Sequence, residues 1–266
     1  MIKDIMYENT GVRLKPSKKP LVMARLRKRL EELGCNRFGD YINVLNENEK
    51  REMVFFVDAI TTNETYFFRH TKQFNYLYEK VFPELSRNGI RCQGNPVKIW
   101  SAACSSGEEP YSIAICAREY FKESFGSKVK IFASDVNTKV LSQAQKGVFS
   151  KRSVREVPKP SMDKYFRLSE KNERIQTEFF QIREDIVKSV KFSKHNLLKV
   201  FPEDNFDIIF IRNAMIYFDE SSKLKVITNI LRALAPHGYL FISLSENLNE
   251  ARDRVLMVAP GVYKRV

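Results

Sequence analysis

The segment IWSAACSSGEEPYS, residues 99–112, carries an apolar run into small residues, one glycine and two adjacent glutamates. A turn that cradles a pyrophosphate needs several glycines, as in GxGxxG, so that the backbone can close on phosphates at a helix N-terminus. Here Gly107 stands alone. Glu108 and Glu109 would sit at the positive end of the helix macrodipole and repel phosphate. Such a turn is suited to holding a cationic group without phosphates. The same two glutamates also fit ordinary placement of negative charge in a first helical turn, and the residues alone leave both readings open.

S-adenosylmethionine, with its sulfonium and ammonium, has the required charge. Further polar groups could serve it. In FASDVN, Asp135 would end the next strand, where an acidic residue can bind ribose hydroxyls; it could equally cap a helix starting near Asn137. Arg212, Asn213 and Tyr217 follow the apolar run DIIFI, although Tyr217 could instead be a core tyrosine with a satisfied hydroxyl. His70, His195 and His237 are scattered, and Cys35, Cys92, Cys104 and Cys116 show no CxxC spacing. Neither a metal site nor a disulfide framework is expected.

These residues need a sheet to bring them together. VKIWSAA, KIFASD, FDIIFI and YLFISL are short apolar runs separated by helical stretches over 108–121, 137–146 and 220–234, which predicts βαβ units and a parallel sheet. Ligands of such sheets lie beyond the carboxyl ends of the strands, where the opening turn would be. Residues 151–190 break the rhythm, and KYFRL and IQTEFFQI suggest a small antiparallel element. Residues up to about 90 read as helical: LVMARLRKRLEEL puts Val22, Leu26, Leu30 and Leu33 on one stripe, between Ser17 as cap and Gly34 as stop. Further helices are expected over 37–46 and 49–60. The chain of 266 residues then divides into a helical domain at 1–75, a linker at 76–95 that includes RNGIRCQGNP, and an α/β domain at 96–266.

Net charge is +13, which favours a polyanionic or acidic partner. From Gly11 to Leu30 there are eight basic residues and no acidic one: Arg13, Lys15, Lys18, Lys19, Arg25, Arg27, Lys28 and Arg29. Lys18, Arg25 and Arg29 share a helical face. A solvated surface and a docking face for an acidic partner are equally good readings of this block. No signal-peptide pattern and no apolar run of membrane-spanning length occur, so a soluble, cytoplasmic protein is expected, with nothing that demands a dimer.

Together, TTNETYFFR (61–69), IWSAACSSGEEPYSIAI (99–115), IFASDVNTKVLSQAQKGVF (131–149), KHNLL (194–198), FDIIFIRNAMIYFD (206–219) and HGYLFISLSENL (237–248) resemble the chemotaxis receptor methyltransferases, the CheR family. The resemblance implies a Rossmann-like class I S-adenosylmethionine-dependent methyltransferase sheet with a small antiparallel β-subdomain and an N-terminal all-helical domain. It implies a protein-glutamate O-methyltransferase that esterifies glutamates on the acidic cytoplasmic helices of methyl-accepting chemoreceptors and releases S-adenosylhomocysteine. By the same resemblance Asn63, Thr65, Arg69, Ala103, Glu109, Asp135, Asn196, Leu197, Arg212 and Asn213 would hold the cofactor. Arg69 and Tyr217 would lie nearest the transferred methyl, and Lys18, Arg25, Lys28 and Arg29 would meet the receptor. One departure stands out: RLSEKNERIQTEFF lacks the glycine of members that dock on a receptor's C-terminal pentapeptide, so action independent of the pentapeptide is expected. Cys104 and Ser106 also replace other small residues of the first turn, with size kept.

The implied chemistry suits these residue types. A glutamate side chain is ionised at neutral pH, so no general base is required, and no histidine-centred group is found. What remains is alignment, with an arginine able to hold the incoming carboxylate bidentately. A nucleic-acid methyltransferase is the main rival on charge, but RNAMIYF stands where amino-methylating DNA enzymes carry a [DN]PP[YF] loop. A scaffold that binds the cofactor without catalysis is the other rival.

Overall fold

A computed structural model describes residues 2–14, 16–47, 49–61, 63–87, 95–172 and 177–266. Four helices come first: α1 (Ile2–Thr10), α2 (Lys19–Glu32), α3 (Phe38–Glu47) and α4 (Glu49–Ile60). Helix α5 (Thr71–Tyr76) then runs through a π turn (Leu77–Val81) into α6 (Phe82–Arg87). The alternating part follows as β1 (Val97–Ala102), α7 (Glu108–Phe121), α8 (Phe125–Lys128), β2 (Val129–Asp135), α9 (Thr138–Lys146) and β3 (Val148–Ser150). Next are α10 (Lys159–Tyr165), β4 (Phe166–Asn172), β5 (Thr177–Ile182), α11 (Glu184–Lys188) and β6 (Val190–Lys194). The chain closes with β7 (Phe206–Ile211), α12 (Glu220–Ala233), β8 (Leu234–Ile242), β9 (Val255–Ala259) and β10 (Val262–Arg265).

The main sheet has the order β6-β2-β1-β7-β8-β10-β9, with the first five strands parallel and β10 antiparallel to both its neighbours, β8 and β9. Strands β1 and β7 are buried almost throughout, as expected of parallel strands covered by helices on both faces. From β1 the chain fills the sheet first towards β2 and β6, then towards β7 and β8. Strand order therefore reverses between β1 and β7, which opens a crevice at their carboxyl ends. The predicted four strands are all present. The expected insert differs in extent: the three-stranded antiparallel sheet, order β3-β5-β4, begins at Val148, and β6 joins the main sheet.

Phe74, Leu77, Val81, Phe82 and Leu85, at helical spacing, are buried in the same cluster as Ile99, Ile208, Phe210 and Phe241. Helices α5 and α6 are thus a layer of the α/β unit, where a linker was expected from residue 76. Of RNGIRCQGNP, residues 88–94 lie outside the described residues, as does Cys92. Cys35, Cys104 and Cys116 are free thiols. No helix among the described residues is long and apolar enough to cross a membrane.

The N-terminal helices have their own core of Met6, Val22, Leu26, Leu30, Tyr41, Leu45, Phe56, Val57 and Ile60. Glu52, 3% exposed, accepts both Nε and Nη2 of Arg29 at 2.9 and 2.6 Å and the Tyr41 hydroxyl at 2.9 Å. Arg25 Nη1 donates to the carbonyls of Ile60 and Thr61, two groups the end of α4 leaves without helical partners. Asp58 of α4 fastens this unit to the sheet by accepting the backbone N–H and hydroxyl of Thr138, each at 2.9 Å.

Candidate active site

The turn from β1 into α7 is tight because Ala103, Ser105 and Gly107 all adopt left-handed backbone, with φ of 61, 50 and 98°. For Ala103 and Ser105 this costs about 1 kcal/mol or more each, which surrounding contacts must offset. Gly107 is required twice over: a Cβ there would lie 2.8 Å from Cβ of Ala144 on α9. Asp135, at the tip of β2, holds the turn from below. One carboxylate oxygen accepts the Ser105 N–H at 2.8 Å and the other accepts that of Asn137 at 2.9 Å. Asn137 itself caps α9, accepting from the Val140 N–H.

The two adjacent glutamates separate in role. Glu108 is buried against its own loop and accepts the Ser106 hydroxyl at 2.7 Å. Glu109 faces a cavity, accepts the Ser101 hydroxyl at 2.7 Å and stands 3.4 Å from Arg212 Nη1. Burial pushes the carboxyls of Glu109 and Asp135 above their ordinary range; Arg212 opposes this for Glu109, and backbone N–H groups oppose it for Asp135. The Arg212 side chain is 2% exposed, donates to the Arg69 carbonyl and lies over the Phe74 ring. It therefore ties the segment before α5 to the tip of β7.

The cavity, of about 440 Å³, lies at the strand-order reversal. Its wall includes Asn63, Thr65, Arg69, Ala103, Glu109, Asp135, Asn196, Leu197, Arg212 and Asn213, with Tyr217 and, on the helical side, Lys18. Arg25, Lys28 and Arg29 lie outside that wall. Arg25 and Arg29 spend guanidinium donors on α4, and Lys28 is exposed. Tyr217 is 37% exposed, and its carbonyl accepts the Arg13 N–H at 3.0 Å. That contact and the neighbouring bridge between Val12 and Phe218 draw the segment after α1 along the cavity. Asn196 Nδ2 donates to the Asn9 carbonyl at 2.7 Å, which fixes the same segment from the other side.

Some contributors were not legible in advance. Glu246, beyond β8, accepts the backbone N–H groups of Asn213, Met215 and Ser243 at 3.1, 2.9 and 2.9 Å, and so shapes the loop that presents Arg212, Asn213 and Tyr217. Its only signal was its position inside SLSENL. His195 lines the cavity with a buried Nε2 that has no partner among the described residues, and burial lowers its pKa. Thr10, Val12 and Leu14 reach the cavity by tertiary packing alone.

The wall fits S-adenosylmethionine. It offers two carboxylates for a cation, an apolar wall at Leu197 and the unpartnered His195 Nε2 for a flat polar ring, and a volume within the range of small-ligand sites. The turn's single glycine and its glutamates do not make a phosphate cradle. Sheet order and site together define a Rossmann-like class I methyltransferase domain carrying an all-helical domain and a small antiparallel sheet.

Residues 1–61 match the CheR methyltransferase all-alpha domain and residues 63–262 the CheR methyltransferase SAM binding domain. The chain belongs to the CheR methyltransferase family. It is 36% identical over 265 residues to the chemotaxis protein methyltransferase of Borreliella burgdorferi, covering 98% of this chain and 91% of that one. With the chemotaxis protein methyltransferase of Escherichia coli it shares 33% identity over 266 residues, 98% of this chain and 88% of the other. Among solved structures, the comparison includes the DszA carbon methyltransferase, 12% identical with a TM-score of 0.41 over 65% of this chain and 35% of that one. The activity is S-adenosylmethionine-dependent methylation in chemotaxis.

Proposed function

We propose that the protein methylates glutamate side chains on the cytoplasmic helices of chemoreceptors, forming glutamate methyl esters and S-adenosylhomocysteine. It does so in the cytoplasm, as a monomer, and without a receptor C-terminal pentapeptide. The observation that carries this reading is the meeting of Arg69 and Tyr217 with Glu109 and Asp135 on the wall of one cavity, with Lys18 of the basic helical unit on its rim. Bound there, the cofactor supplies an electrophilic methyl group on a sulfonium sulfur. Glu109 holds its cationic amino-acid or ribose portion and Asp135 its ribose hydroxyls, while Asn196 and Leu197 frame the adenine. Asn63, Thr65, Ala103, Arg212 and Asn213 complete the pocket.

Arg69 receives the substrate carboxylate. Its guanidinium donates to the Glu64 carbonyl at 3.1 Å, which leaves further N–H groups to fix the carboxylate's direction. Since that carboxylate is already ionised, no proton has to move; the site contributes alignment and the exclusion of water. Tyr217, partly exposed beside Arg13, orients the reacting groups. The basic surface formed by Lys18, just before α2, and by Arg25, Lys28 and Arg29 on it attracts an acidic receptor helix. The segment that spans β4 and β5 has no glycine, which supports independence from the pentapeptide.

Incubation with tritiated S-adenosylmethionine and receptor-containing membranes, then alkali, tests the reaction. Label released by base identifies a carboxyl ester; base-stable label on protein, or label on nucleic acid, overturns the proposal.

A further inference from the structure

Tyr66, on the cavity wall, carries two guanidinium groups against one ring. Arg155 lies 4.0 Å from the ring centroid and Arg69 lies 5.7 Å from it. Their guanidinium carbons are therefore less than about 10 Å apart, a separation no greater than two turns of an α-helix at 5.4 Å per turn. Arg155 is exposed, as is its neighbour Arg152, and their acidic contacts are long and solvated: Arg155 with Glu156 at 3.8 Å, Arg152 with Glu64 at 3.6 Å. Ion pairs of this kind contribute little, so an incoming carboxylate can displace them.

The backbone beneath these side chains is held in place. The Phe67 N–H donates to the Ser153 carbonyl at 3.0 Å, Val154 is buried, and the Phe67 ring meets Phe149 and Phe166 edge-on at 4.8 and 5.1 Å. One packed unit thus carries Arg69 and Arg155, and the segment that follows β3 presents a second cationic position beside the reacting one. Nothing in the cofactor-binding wall uses it.

We propose that Arg155, supported by Arg152, is a second carboxylate subsite that reads an acidic side chain one or two helical turns from the glutamate held at Arg69. The inference rests on the proposed glutamate reaction and gives it a substrate requirement. A helix with an isolated glutamate is a poor substrate, and one with a second acid on the same face is a good one. Arg155 acts on substrate affinity; Arg69 acts on turnover.

The test is a double-mutant cycle between the protein and a purified cytoplasmic receptor fragment that it methylates. Arg155→Ala should raise KM about tenfold with kcat and S-adenosylhomocysteine affinity within twofold of native, and Arg155→Lys should recover part of the loss. Replacing the acidic residue one or two turns from the methylated glutamate by alanine should raise KM for the native protein and leave it unchanged for Arg155→Ala. Equal KM increases in both proteins, or an unchanged KM for Arg155→Ala, would overturn the subsite. A fall in kcat alone would do the same, because it would make Arg155 a prop for Arg69 through Tyr66. If the native protein esterifies no glutamate in any fragment, the reaction itself and the subsite fail together; if esters form without the coupling, only the subsite fails.

Discussion

Arg69 and Glu109 face the same cavity, yet they answer to different measurements. Arg69→Ala should lower turnover by at least about 100-fold with the fold intact, the size of loss that follows misplacement of a reacting group; single-turnover rates beside circular dichroism check it. Burial raises the Glu109 carboxyl, and a cation bound beside it favours ionisation. Cofactor binding on the acid side of neutrality should therefore release protons, and its affinity should rise with pH until the carboxyl is ionised in the free protein. Calorimetry in two buffers of different ionisation enthalpy measures that release. His70 works in the opposite sense on stability. Burial and the nearby cations Arg212 and Arg69 lower its pKa to about 4 from an ordinary 6.5, so the unfolded chain takes up the proton first. Stability from this group is full above 6.5 and is lost as pH falls towards 4. The buried carboxyls, raised by burial, have the reverse sign, so the informative comparison is with His70→Gln. Its melting temperature should fall less steeply over that window.

Loops at strand ends act as units held by single carboxylates. Glu246 satisfies three backbone N–H groups of the turn after β7 and the end of β8, and charge-assisted bonds of this kind are worth about 1.5–3 kcal/mol each before the loop relaxes. Glu246→Ala should destabilise the fold by roughly 3 kcal/mol, less than three such bonds together because water replaces some of them, and weaken cofactor affinity more than Glu246→Gln, which keeps acceptor oxygen. Denaturant unfolding with S-adenosylhomocysteine titration reads both effects. Asp135 does comparable work on the turn after β1, bridging Ser105 and Asn137. The cap of α9 is Asn137 and not Asp135, the reading that FASDVN also allowed; Asp135 instead accepts the Asn137 N–H and stands on the cavity wall. One carboxylate both braces the turn and lines the cavity.

The whole molecule carries +13, and the side chains that express that charge are not equivalent. Arg25 and Arg29 are spent in part on α4, so reversing their charge would also break the helical core. Lys28, exposed and outside the cavity wall, offers a cleaner test. Lys28→Glu should raise the receptor KM several-fold and reduce its salt dependence, leaving cofactor affinity within about twofold, since exposed charges act through screened long-range attraction. Assays across salt concentration, with parallel cofactor titrations, check this. Hydrogen bonds from Asn137 and Thr138 at the start of α9 to Asp58 join the unit that bears the basic surface to the one that bears the cavity.

The sequence by itself determined the alternation of four strands with helices, the glycine-poor turn that excludes a phosphate cradle, and the family to which the chain belongs. Those features are local: a period of apolar residues, a turn's φ requirement and contiguous motifs are written along the chain. Only the tertiary structure decided that Glu108 braces its loop while Glu109 faces the cavity, and that α5 and α6 cover the sheet. The same holds for Glu246 organising the turn after β7, for Arg155 sharing a ring with Arg69, and for the segment after α1 lining the cavity. Each depends on which residues meet across dozens of positions, and burial and hydrogen-bond partners set by packing carry no signature in the spacing of one chain segment.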